Sequence, residues 1–121
     1  MTLNLLILLK TWNLQSTEGA AITLTFDSLD IEGHYECGYD FIEVNDGFTT
    51  HRYCGPYWGN YYSGDGNNAV SIGTSIPGPF TSSGTNITLK SSSDINVAGR
   101  GFLAVVCCSV NISTDVIGEL M

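Results

Sequence analysis

Acidic side chains from three separate loops of the chain are the residues best suited to chemistry. They are Glu32, Asp40 and Asp94, and Asn96 follows the last of them closely. Calcium prefers several hard oxygen ligands, which carboxylates, amide or backbone carbonyls and water can supply. Spacing alone does not show that these residues converge. Whether they do depends on the secondary structure that positions them.

Other kinds of catalytic or metal site find less support. His34, His51 and Glu36 lack the paired spacing that a zinc site requires. Asp30 and Glu32 could be read as a glycosidase pair, but nothing in the sequence marks a substrate cleft. No Gly-x-Ser-x-Gly nucleophile elbow occurs. We therefore do not expect an enzyme.

An irregular stretch, residues 56–80, offers a second candidate binding site. No helical or alternating period covers it, although a short strand is predicted at residues 69–72. Tyr and Trp are enriched at protein interfaces, and their rings also stack on sugars. The same side chains could instead cover the core, and we expect that of half of them. The candidates are Tyr57, Trp58, Tyr61 and Tyr62.

The clearest local structure lies between Cys37 and Gly55. Residues 41–44 alternate in character, as a strand with two different faces does. Asp46-Gly47 then signals a hairpin turn, because glycine tolerates positive φ. The chain returns and brings Cys54 towards Cys37. A bridge between them would stabilise the fold by about 3 kcal/mol through restriction of the unfolded chain.

Alternating apolar residues predict further strands on both sides of this hairpin. Residues 12–14 and 22–26 predict a second hairpin with its apolar side on a core. A later strand has Ile87 and Leu89 facing inward, and residues 102–106 form a closing strand. The pattern as a whole favours an all-β domain.

Length and composition limit the function classes. The chain has 121 residues, enough for one domain, and only 13% of them are charged. Its formal net charge is −8, which argues against nucleic acid and suits a cation or a basic partner. Four cysteines indicate an oxidising compartment. Glycosylation sequons at Asn86 and Asn111 indicate the same.

The central stretch resembles the signature of a CUB domain. Its residues 37–47 read Cys-x-Tyr-Asp-aromatic-aliphatic-Glu-aliphatic-x-Asp-Gly, and Tyr-Cys-Gly follows at 53–55. Early strands after Trp12 and a late Ser-Asp turn ending at Asp94 follow in the family's order, so the resemblance covers residues 12–106. It implies a two-layer antiparallel β-sandwich of jelly-roll type.

The resemblance also implies a function. Calcium-binding CUB modules use a Glu before the motif, the Asp within it and an Asp in the late turn, which Glu32, Asp40 and Asp94 match. Asn96 is the fourth candidate ligand. Such modules recognise extracellular proteins, and their carboxylates beside the ion receive a lysine or arginine. Two alternatives stay open: a carbohydrate-binding module using residues 57–62, and an accessory non-catalytic module of a secreted protease.

The two ends depart from the family pattern. Residues 1–11 form either a truncated or irregular N-terminal strand or the remnant of a signal peptide, and their apolar run is too short to span a bilayer. The family's first cysteine pair is missing, so we expect this strand to be less firmly held.

Residues 107–121 are a tail or a linker within a larger multidomain chain. A Cys107–Cys108 bridge would be strained, so these residues pair elsewhere or stay free and buried.

Overall fold

The computed structural model describes residues 7–31, 37, 40–64, 69–94 and 101–118. All regular structure in these residues is β, and it forms ten strands. The strands are β1 (Ile7–Ser16), β2 (Thr23–Asp30), β3 (Phe41–Asn45), β4 (Thr50–Tyr57), β5 (Asn60–Ser63), β6 (Val70–Gly73), β7 (Phe80–Thr81), β8 (Asn86–Asp94), β9 (Gly101–Val106) and β10 (Val110–Gly118). None of the described residues belongs to a helix long and apolar enough to cross a membrane.

Two antiparallel sheets face each other, which confirms the predicted β-sandwich. The larger sheet has seven strands in the order β10-β1-β8-β3-β4-β5-β6, and the smaller has three in the order β7-β2-β9. The apolar side chains that the sequence alternation predicted to face inward fill the space between the two sheets. Ile22, Leu24, Ile42, Val44 and Ile87 are among its fully buried side chains.

Aromatic rings tie the two sheets together across this core. Trp12 of β1 meets Phe102 of β9 edge-on, with 5.6 Å between ring centroids. Phe102 in turn contacts Phe26 of β2, and Phe26 contacts Phe80 of β7. Phe80 then reaches Tyr53 of β4. Edge-to-face pairs of this kind add about 1 kcal/mol each beyond their buried area.

The predicted hairpin of residues 12–14 with residues 22–26 is wrong. β1 pairs with β8 and β10 in the larger sheet, whereas β2 pairs with β7 and β9 in the smaller one. The intervening turn therefore carries the chain from one sheet to the other. Both strands still direct their apolar residues inward, because alternation fixes a strand's buried face but not its neighbour.

The first strand is more firmly held than the missing cysteine pair suggested. β1 lies between β8 and β10, and each of these strands pairs with nine of its residues. The second partner comes from residues 107–121, assigned above to a tail or linker, where Val110–Gly118 forms β10. Backbone pairing thus holds β1 on both sides.

Candidate functional site

Four strand ends meet at one end of the sandwich, which we call the loop end. β2 finishes there, and its last residue, Asp30, pairs with Gly101, the first residue of β9. β8 finishes there too, since only residues 95–100 separate it from β9. β3 starts beside it, because Phe41 pairs with Ser92 of β8. The connections 31–40 and 95–100 therefore leave the same end of the fold.

The predicted calcium ligands all belong to these two connections or their borders. Asp40 immediately precedes β3, is 4% exposed and makes interactions of its own. Asp94 is the last residue of β8, and the Phe41–Ser92 pairing puts its backbone next to the start of β3. Glu32 directly follows Ile31, which bridges to Gly55. Glu32, Asn96 and the side chain of Asp94 lie outside the described residues.

The described residues fit calcium in their chemistry and do not by themselves form a site. Asp40 offers a hard carboxylate oxygen donor, and a buried carboxylate needs hydrogen bonds or positive charge to compensate it. Within the described residues, no group of three or more His, Cys, Asp and Glu side chains is placed to hold a metal ion. Of the four predicted ligands, only the side chain of Asp40 is described.

A disulfide fastens the connection that carries Asp40. Cys37 and Cys54 are bonded, with Cα atoms 5.4 Å apart, and both are almost completely buried. This confirms the pairing that the sequence predicted. Gly55, directly after Cys54, exchanges two backbone hydrogen bonds with Ile31. Ile31 and Cys37, two points of the 31–40 connection, are therefore both attached to β4.

Arg52 supports the same connection and was missed by the sequence analysis. Its Nε donates to Glu43 Oε2 over 2.9 Å, and its Nη1 donates to the carbonyl of Cys37 over 3.3 Å. The guanidinium lies 3.6 Å from the centroid of the Phe41 ring, and Lys90 Nζ is 3.9 Å from Glu43 Oε1. The signal was present, since an Asp46-Gly47 hairpin puts Arg52 opposite Glu43.

At the opposite end of β3, the predicted turn is held by its own side chains. Asp46 Oδ1 accepts hydrogen bonds from the backbone N–H groups of Phe48 and Thr49, each 2.8 Å long. The Thr49 bond contributes most and the Phe48 bond next to lowering the pKa of Asp46 below its usual value. Gly47 has φ of +95°, which glycine accepts without strain.

The four aromatic candidates divide into two kinds. Trp58 is 85% exposed at the β4–β5 turn. Its ring is perpendicular to the ring of Tyr57, with 6.0 Å between the two ring centroids. Tyr62 is half-buried and contacts Tyr57. Tyr61 is buried instead, and its hydroxyl donates to the Leu29 carbonyl over 2.9 Å. Tyr61 and Tyr62 are neighbours in β5, so their side chains point to opposite faces of the sheet, and Tyr61 is withdrawn from the candidate surface.

The remaining candidates have these positions. His51 lies beside Thr49, whereas His34 and Glu36 are outside the described residues. Cys107 and Cys108 are joined to each other and are exposed, so neither is free and buried in the last strand.

The chain belongs to the CUB domain family. The match to the family model covers residues 10–105, most of the residues that form the sandwich. This agrees with the resemblance that the cysteine motif suggested.

Curated relatives contain the module within longer proteins. Tolloid-like protein 2 of Homo sapiens is 36% identical over 95 residues, which is 78% of this chain and 8% of that protein. Procollagen C-endopeptidase enhancer 2 of Mus musculus is 32% identical over 94 residues, 78% of this chain and 19% of that protein. The chain thus spans about a fifth or less of these relatives. No solved structure gives a significant match.

Proposed function

We propose that this CUB module is a non-catalytic, extracellular protein-recognition module that assists a secreted protease or a similar multidomain protein. Family membership supports this, as does the small share of each relative that the chain covers. The enhancer proteins are named for enhancing an endopeptidase. The disulfide between Cys37 and Cys54 and the two sequons suit an oxidising, extracellular setting.

We place the recognition surface at the loop end and propose that calcium organises it. The observation that supports this proposal is that the ends of β2 and β8 and the starts of β3 and β9 lie at the same end of the sandwich as the buried carboxylate of Asp40. Glu32, Asp40 and Asp94 would supply carboxylate oxygens, and Asn96 an amide or backbone oxygen. A bound ion would join two connections that share no strand.

The chemistry of the partner follows from charge. Carboxylates beside a half-enclosed ion would receive a lysine or arginine side chain from another protein. The chain carries 12 acidic and 4 basic residues, so its overall field favours a basic partner. Contacts of this kind weaken as salt increases, because surface charges are screened.

Isothermal titration with calcium chloride tests the metal proposal. We expect saturable binding of one ion to the wild-type chain and at least a tenfold loss of affinity in Asp40→Asn. The matched control is Asp27→Asn, which removes the same charge from an exposed residue of β2. Equal calcium affinity in all three proteins would contradict the proposal.

A lysine-rich peptide and its norleucine counterpart test the recognition mode. We expect the chain to bind the lysine peptide in calcium and to lose that binding in EDTA or at high salt, with no binding of the norleucine peptide. If EDTA left the affinity for the lysine peptide unchanged, calcium-organised recognition would be wrong.

A carbohydrate partner is the second candidate, favoured by the exposed Trp58 ring and its perpendicular neighbour Tyr57. Rings presented in this way can stack on sugars. Glycan-array binding that survives EDTA and disappears in Trp58→Ala would support this function over the first. Loss of array binding in EDTA, or its persistence in Trp58→Ala, would argue against it.

A further inference from the structure

The two glycosylation sequons lie in register on opposite sides of one strand. Gln15 of β1 pairs with Asn86 of β8 on one side and with Asn111 of β10 on the other. Two residues away, Asn13 pairs with Thr88 and with Ser113, the hydroxyl residues of the same sequons. Directly paired residues of antiparallel strands point to the same face of a sheet. Both sequons therefore occupy one face.

This face is the outer one, and both acceptor side chains are accessible on it. Leu14 and Ile87 are buried in the core. Because successive side chains of a strand alternate between faces, the sequon residues on either side of Ile87, and the paired Asn13 and Gln15, point away from the core. Asn86 and Asn111 are exposed, and neither side-chain amide is hydrogen-bonded to a described residue. A shallow cleft of about 360 Å³ runs between the two sequons. Their backbones are two strand spacings, roughly 10 Å, apart.

The same face ends at a free strand edge. β10 is nine residues long, and no other described strand pairs with its outer side. Unpaired edges of this length are templates for pairing with another chain, and proteins protect them with charge, proline or a cover. Asp115 is the one charged residue in β10, and the strand has no proline. Asn111 sits near its beginning.

We propose that Asn86 and Asn111 both carry N-linked glycans, which together cover the outer face of β10, β1 and β8, and that the Asn111 glycan shields the free edge of β10. This rests on the secretion that the proposed function requires. In each transfer, the asparagine amide nitrogen loses a proton and bonds to the anomeric carbon of a polyprenyl-pyrophosphate-linked oligosaccharide. The bond from that carbon to the pyrophosphate oxygen breaks, and the polyprenyl pyrophosphate leaves with the electron pair.

The position of the glycans leaves the proposed recognition surface open. Asn86 begins β8 and Asp94 ends it, so the glycans and the loop end lie at opposite ends of this strand. At about 3.3 Å per residue, the separation along the strand is roughly 26 Å. The glycans therefore lie at the end of β8 away from the proposed recognition surface.

Mass spectrometry of the full chain, secreted from human cells behind an added signal peptide, tests occupancy. We expect the intact mass to fall by two glycans on treatment with peptide-N-glycosidase, and by one in Asn86→Gln or Asn111→Gln. A secreted chain that carries one glycan or none overturns the proposal. Because this readout needs no calcium, its failure is distinguishable from a failure of calcium binding.

Light scattering after size exclusion tests the shielding of the edge. We expect Asn111→Gln and Ser113→Ala, which both remove the same sequon, to self-associate, while wild type and Asn86→Gln stay monomeric. Asn111→Lys also lacks the glycan but adds a charge at the edge, so it should stay monomeric. Monomeric Asn111→Gln and Ser113→Ala, or self-association of Asn86→Gln to the same extent, would show that this glycan does not protect the edge.

Discussion

Asp46 shows how much a single residue can do when its role is local. Its carboxylate accepts hydrogen bonds within the next three residues, so the turn could be predicted from Asn45-Asp46-Gly47 alone. Arg52 is a different case. Its partners, Glu43 and the Cys37 carbonyl, lie on another strand and in a connection, and only the register brings them together.

The lowered pKa of Asp46 gives a pH prediction. A carboxylate whose folded pKa is depressed stabilises the fold above its unfolded value, here 3.8, and loses that contribution as pH falls through the lower folded pKa. Asp46→Asn retains the Oδ1 acceptor but does not titrate. We therefore expect wild type to lose more stability than Asp46→Asn between about pH 4 and pH 2.

Urea unfolding across that pH range measures this difference, and Asp46→Ala serves as the variant without an acceptor. It should be less stable than both of the others at pH 7, because two turn N–H groups lose their partner. Parallel pH profiles for wild type and Asp46→Asn would rule out the assigned cause of the pKa shift.

Tyr61 and Tyr62 show where residue-level prediction reached its limit. Both have the same type and the same glycine-rich surroundings. They are neighbours in β5 and therefore point to opposite faces of the sheet, and the packing of the two sheets decides which face is buried. The pattern of the sequence could say that half of the aromatic residues were structural, but it could not identify them.

Removing the Tyr61 hydroxyl should therefore destabilise the fold. Tyr61→Phe leaves the Leu29 carbonyl without its donor, which we expect to cost about 1–2 kcal/mol of unfolding free energy. Tyr62→Phe, at a half-buried position, should cost clearly less. Chemical denaturation compares the two, and equal costs would contradict the different roles assigned to these residues.

At the scale of elements, alternation identified the strands but not their neighbours. The strands around Trp12, Phe41, Ile87 and Phe102 were predicted with their buried faces, because a period of two is a local property. The assignment of β1 and β2 to different sheets depends on how residues far apart in sequence pair. Only at Asp46-Gly47 was the turn signal strong enough to predict which two strands pair, namely β3 and β4.

The disulfide is the element-scale feature on which the loop end depends. Cys37 and Cys54 are 17 positions apart, and losing a bridge over such a loop costs about 3 kcal/mol. We expect the double substitution Cys37→Ala with Cys54→Ala to lower the unfolding free energy by this amount and to weaken calcium binding. Denaturation and calorimetric titration of the same protein check both effects. Unchanged calcium affinity would separate the disulfide from the proposed site.

The whole molecule is larger than the family signature suggests. The family match ends at residue 105, yet β10 completes the seven-stranded sheet and Val110 packs against the core. Apart from the Asn111 sequon, residues 107–121 carry no motif, and the pairing of Val110–Gly118 with β1 could not be predicted from the local sequence pattern.

Ending the chain after Val106 should therefore destabilise the domain. We expect a loss of about 2 kcal/mol or more, the scale of one buried aliphatic side chain, together with self-association through the exposed edge of β1. A chain ending after Gly118 keeps β10 and is the control. Equal melting temperatures for the two truncations would show that β10 adds nothing to the fold.

The arrangement of the molecule separates its surfaces by role. We propose calcium and a basic partner at the loop end and glycans on the outer face near the beginning of β8, whereas the Tyr57–Trp58 turn is exposed between β4 and β5. These proposals depend on the claim that calcium binds at the loop end, where β2 and β8 end and β3 and β9 begin.

Amide chemical-shift mapping of the 15N-labelled chain during a calcium titration tests that claim most directly. We predict saturable shifts for residues 31–40 and 94–101, with little change along β10 or at the Asn45–Gly47 turn. The same titration of Asp40→Asn should need at least ten times more calcium to reach the same shifts. Shifts that are absent in wild type, or that map away from the loop end, would contradict a calcium-organised recognition surface.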